Sequence, residues 1–77
     1  MARRASPAAV IDTLIKHFDY STWGSDETSV ALKRMGLVIM VPSPQLIDVL
    51  DEETVAHICA PGAIDLEKFW KLCPVLP

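Results

Sequence analysis

Along this chain the apolar positions fall into helical spacing in three places and into one unbroken run. Over residues 7–18, Val10, Ile11, Leu14, Ile15 and Phe18 recur at the helical period, with Asp12, Thr13 and Lys16 away from the centre of the stripe. Ser6 followed by Pro7 is a helix-start signature: the hydroxyl accepts a free backbone N–H, and proline has no N–H to leave unpaired. Residues 19–25 break the period with turn formers and read as a loop. A second helix is then expected over residues 25–36. Ser25 is its cap, Asp26 and Glu27 lie in its first turn, Lys33 and Arg34 in its last, and Gly36 ends it, so each charge matches the helix dipole. Val30, Ala31 and Met35 would be its buried side, with Leu32 at the margin.

The unbroken run is residues 37–41, Leu-Val-Ile-Met-Val, a short buried strand or an apolar linker between which periodicity does not choose. Ser43 and Pro44 repeat the start signal, and Leu46, Ile47, Leu50, Thr54, Val55 and Ile58 sustain a helical face; a break at Asp51, with that residue capping a second segment, fits the same pattern. Ala60-Pro61-Gly62 ends this helix. Asp65 caps the last one, Ile64 and Phe69 have the spacing of a hydrophobic staple, and Pro74 stops it. The pattern predicts an all-α fold of four short helices in two pairs: a flexible N-terminus at 1–6, one lobe at 7–74 and a tail at 75–77.

At 77 residues the chain makes one small domain, whose low buried fraction favours help from a partner. Its 51% apolar content is globular and not disordered, and its net charge of −3 leans towards a basic partner and away from phosphate binding. Cys59 and Cys73 read as reduced thiols, with no dense cysteine spacing and no signal peptide, so a cytoplasmic setting is expected. No apolar run reaches the roughly 18 residues of a membrane span. Arg3-Arg4-Ala5-Ser6 resembles the target of kinases that read two arginines before a serine, although arginines at a terminus also serve solubility.

Three stretches carry a family resemblance. "LIKHFDYS" is similar to an entering helix running into a loop that starts with aspartate. "ALKRMGLVIMVPSPQLIDVL" resembles an exit helix, its glycine and the linker to the next capped helix. "GAIDLEKFW" resembles the glycine, the central isoleucine and the aromatic start of a second exit helix. Together, over about residues 8–73, they resemble one lobe of the calmodulin, centrin and myosin light chain group, built from paired EF-hands. A calcium loop needs alternating oxygen ligands, a glycine sixth and a glutamate twelfth. Counted from Asp19, Ser21 and Gly24 fit, but the fifth position is Trp23 and the twelfth Val30. Anchored on Gly62, the second loop offers His57, Cys59 and Pro61, with Lys68 twelfth. Both units are therefore degenerate, and no metal is expected.

The resemblance implies a non-catalytic, calcium-independent light-chain-like subunit that grips an amphipathic basic (IQ-like) helix of a larger protein such as a myosin neck, and an association with the cytoskeleton. Leu37, Ile39, Met40, Phe69, Trp70 and Leu72 are the expected apolar grip, and Asp51, Glu52 and Glu53 the expected attraction for basic side chains. A zinc site from the His57/Cys59 pair with His17 and Cys73 lacks the paired spacing such sites use. Nucleic-acid binding is the competing class, since "SDETSVALKRMGLVI" also resembles the recognition helix and strand of a winged-helix domain. The acidic start, the negative net charge and the absence of a basic wing argue against it. With no glycine-rich phosphate loop, metal set or triad, neither enzyme chemistry nor a cofactor is expected.

Overall fold

Where a second helix is expected, the computed structural model, which describes residues 3–77, has the end of one strand, a loop and the whole of the next strand. The chain runs β1 (Arg4–Ala5), α1 (Pro7–His17), β2 (Ser21–Ser25), β3 (Ser29–Arg34), β4 (Leu37–Pro42), β5 (Leu50–Asp51), α2 (Glu52–Cys59), a 3₁₀ turn (Ala60–Gly62) and α3 (Leu66–Leu72). β2, β3 and β4 form an antiparallel sheet in that order, and β1 pairs with β5 in a separate two-stranded ladder. The expected all-α fold of two EF-hand units is therefore incorrect. The stretch counted as a calcium loop from Asp19 runs through β2 and the following loop into the start of β3, and no helix follows it before residue 52.

The error over residues 25–36 has a physical cause. Polar caps, terminal charges and a closing glycine also mark a hairpin. Asp26 is not a first-turn acid; its Oδ1 accepts from the Thr28 N–H (2.8 Å), the Thr28 hydroxyl (2.8 Å) and the Ser29 N–H (2.9 Å), and so shapes the loop into β3. The Thr28 hydroxyl, then the two backbone N–H groups, hold its carboxyl below the usual range. Along β3, Leu32 faces the core while Lys33 is exposed, and the register sets Leu32 opposite Ile39 and Ala31 opposite Met40. That alternation is the strand period. Residues 37–41 are thus strand, with Ile39 and Val41 inside and Met40 outside.

Met35 and Gly36 join β3 to β4 with φ of 46° and 86°, the pair of positive angles that a two-residue type I′ turn requires. Gly36 suits it; Met35 is strained there and 91% exposed, so it contributes no packing. Met35→Asn is expected to raise stability by about 0.5–1 kcal/mol, read as a higher urea midpoint at unchanged slope. An unchanged or lower midpoint would contradict this turn geometry.

The helices that do form keep their predicted caps. The Ser6 hydroxyl accepts the Ala9 N–H at 3.1 Å, and Asp65 Oδ1 accepts from Glu67 and Lys68 at 3.0 and 3.4 Å. On α1 the buried side is Pro7, Val10, Thr13 and Leu14, a stripe turned away from Ile15, which is 38% exposed. Thr13 is tolerated inside because its hydroxyl donates to the Ala9 carbonyl at 2.8 Å. After β4, Ser43 starts only a single turn, its carbonyl accepting from Leu46 and Ile47, and both of those side chains are exposed. The expected helix from residue 43 is replaced by α2, which starts where Asp51 Oδ1 accepts the Thr54 N–H at 2.8 Å.

α1, α2 and α3 close over Leu32 and Ile39 to make one core with Val10, Leu14, Val55 and Phe69, all fully buried. Phe69 meets Phe18 at 6.2 Å between ring centroids and Trp70 edge-on at 5.4 Å. Of the expected flexible segment 1–6, Met1 and Ala2 lie outside the described residues, whereas Ala5 is fully buried and pairs with Leu50, and Arg4 pairs with Asp51. The tail lies against this arm: Leu76 donates its N–H to the Arg4 carbonyl (2.8 Å) and Arg4 Nη2 donates to the Pro77 carbonyl (2.9 Å).

Candidate functional site

The β1–β5 register fixes what lies at the start of α2. Arg4 is opposite Asp51 in antiparallel pairing, so the next pair outward sets Arg3 against Glu52, residues 49 apart in sequence. Both the backbone N–H of Arg3 (2.7 Å) and its Nε (2.8 Å) donate to Glu52 Oε1. This anchors the arm over α3, where the Arg3 guanidinium carbon stands 5.1 Å from the centroid of the Trp70 ring. Trp70 itself is only 7% exposed.

Around this contact the arm, the start of α2 and α3 enclose an open groove of about 520 Å³. Asp51 at the end of β5 and Glu52 and Glu53 at the start of α2 border it, and Glu67, three residues before Trp70, borders it from α3. Ala56 and Leu66 supply apolar wall beside the indole. Among the described residues four carboxylates and one guanidinium line the groove, an excess of three negative side-chain charges. Among the described residues, neither Glu53 nor Glu67 takes part in an ion pair.

The fold favours the charged form of two of these carboxylates, Asp51 and Glu52. Glu52 lies below the usual carboxylate range because the Arg3 side chain, then the Arg3 backbone N–H, hydrogen-bond to it. Asp51 is lowered mainly by the Thr54 N–H that it caps. In each case the charged form is the one the fold bonds to.

The expected site residues separate into three groups. Asp51, Glu52, Glu53 and Trp70 come together in the groove. Ile39 and Phe69 are fully buried in the core. Leu37, Met40 and Leu72 are at the surface outside it, 40%, 52% and 36% exposed. Met40 instead borders two shallow hollows, one with Trp23 and Ala31 on the open face of the sheet and one with Val38, His57 and Ile58. Sequence reading missed Arg3, Ala56, Leu66 and Glu67. The i, i+3 spacing of Glu67 and Trp70 was available as a signal, whereas the pairing of Arg3 with Glu52 had no local trace.

His57 is exposed while Cys59 is buried, so the pair does not share a surface. Burial, and secondarily the neighbouring Cys73, pushes the Cys59 thiol up to about 11, and burial also raises Cys73. Among the described residues no cluster of three or more His, Cys, Asp or Glu side chains is placed to hold a metal ion, and no helix is long and apolar enough to cross a membrane. Neither a protein-family model, nor a curated protein, nor a solved structure matches this chain.

Proposed function

We propose that this protein is a non-catalytic binding module that takes a basic segment of a larger protein into the groove between α2 and α3. The observation that carries this reading is the pairing of uncompensated carboxylates with an indole that already holds a guanidinium. Carboxylates at a rim steer a cationic partner from a distance, and the aromatic floor with Leu66 and Ala56 offers contact to the aliphatic stems of its side chains. An EF-hand grip plays no part in this, and neither does a winged-helix contact, since the residues expected as its recognition helix are largely β3 and its flanking turns. The partner is recognised by positive charge carried on a partly apolar segment.

Calorimetric titration with a basic amphipathic peptide tests the reading. Binding is expected at low salt and is expected to weaken as ionic strength rises, because the rim charges are exposed and screened. Glu53→Gln together with Glu67→Gln removes the two rim carboxylates that form no ion pair among the described residues and leaves the Glu52 anchor of Arg3 intact. Affinity should fall about three- to tenfold in that variant, the scale of two solvent-exposed charge pairs. Equal affinity in the double variant, or no binding by the native chain at millimolar peptide, would overturn the proposal.

A further inference from the structure

Among the described residues Arg3 is the one cationic side chain lining the groove, and its seat has the geometry of a bound ligand: Nε bonded to Glu52 Oε1 at 2.8 Å while the guanidinium carbon lies 5.1 Å from the Trp70 centroid. A planar guanidinium can stack on a ring and hydrogen-bond at its edge simultaneously. An ammonium, a point charge with a strongly held hydration shell, does this poorly. Such a seat suits a guanidinium better than an ammonium. Arg3 also lies over the indole, so an arginine from outside would compete with it for that face of the ring. Its side chain is half exposed, and it is held by a single carboxylate at the end of a two-residue ladder, which makes it removable without opening the core.

We propose that the groove is an arginine-recognition site that is self-occupied, with Arg3 standing in for an arginine of the partner and leaving Trp70 and Glu52 when that arginine arrives. This rests on the groove reading above and adds the identity of the side chain and the competition that regulates it. Charge complementarity supports the exchange: Arg3 neutralises only one of four carboxylates, so a segment bearing several cations brings more compensation than the resident does. Affinity is then reduced by the fraction of time that Arg3 holds the seat.

The test uses the full chain and two probes, an alanine-based nonapeptide with two lysines and a central arginine, and its twin with lysine at the centre. Arg3→Ala should bind the arginine peptide about tenfold more tightly than the native chain does, the gain expected if the seat is taken about nine-tenths of the time. The lysine twin should bind Arg3→Ala several-fold more weakly than the arginine peptide does. Arg3→Lys, which keeps charge and aliphatic stem but loses the planar head, is the second variant and should fall between native and Arg3→Ala. In a Trp23→Phe background, Trp70 emission should shift to the red in Arg3→Ala and return to the blue when the arginine peptide is added. Native binding with no gain in Arg3→Ala and Arg3→Lys would overturn self-occupancy, and equal affinity for the twin would overturn arginine selection. Absence of binding of either peptide to any of these chains would instead overturn the underlying groove reading.

Discussion

Phe69→Ala is expected to leave the chain largely unfolded at room temperature in dilute urea. The side chain is fully buried and forms the aromatic centre of the core with Phe18 on one side and Trp70 on the other. Truncating such a residue costs about 3–5 kcal/mol through lost transfer energy and the cavity left behind. A domain of this size has roughly 4–11 kcal/mol in total, and the lower end is usual below about 80 residues. The loss therefore takes most of the margin. Circular dichroism against urea checks this, with the midpoint falling by more than half. A grip residue would behave otherwise, leaving the midpoint in place and abolishing partner binding, and that outcome would remove Phe69 from the core.

Gly62→Ala should be the next most costly change, at about 1–3 kcal/mol of overpacking. Gly62 is buried in the turn between α2 and α3. A Cβ there would overlap the Tyr20 hydroxyl oxygen and stand 2.8 Å from Ile39 Cδ1 and 3.3 Å from Tyr20 Cζ. The same Tyr20 hydroxyl is buried with no hydrogen-bond partner among the described residues. Removing it relieves an unsatisfied group, so Tyr20→Phe should match or exceed the native stability by up to about 1 kcal/mol. The two changes share one contact and so should not add: in the Tyr20→Phe background the cost of Gly62→Ala should shrink by about 1 kcal/mol, with the Ile39 contact accounting for the remainder. Strict additivity in a four-way denaturation cycle would mean that the hydroxyl does not meet residue 62.

Local chemistry was readable in this sequence wherever one short motif serves one structure. Ser6, Asp51 and Asp65 each cap a helix through a single side-chain oxygen, and each was visible as a polar residue ahead of an apolar period. Residues 25–36 defeated the same logic because a helix and a hairpin both open with a polar turn former and close at a glycine. What decides between them is the pairing of β3 with β4, a tertiary fact on which caps are silent. Hydrophobicity likewise could not tell a groove wall from the core. Ile39 and Met40 are adjacent and equally apolar, yet the strand turns one to the inside and the other to solvent. Charge was more informative, since ionised groups stay at the surface: Asp51, Glu52 and Glu53 border the groove, and only their counter-cation, distant in sequence, lay out of reach.

The β1–β5 ladder has a kinetic consequence. Joining residues 4 and 5 to 50 and 51 closes a loop that contains α1 and the entire three-stranded sheet. The entropy of closing so long a loop must be met before two residue pairs return anything, so this clasp assembles after the sheet and the helices have docked. Its amide protons should exchange with solvent through brief local openings, while those at the centre of β3 exchange only when the whole chain unfolds. Arg3 thus leaves and rejoins the indole on the clock of this clasp and not on that of global unfolding.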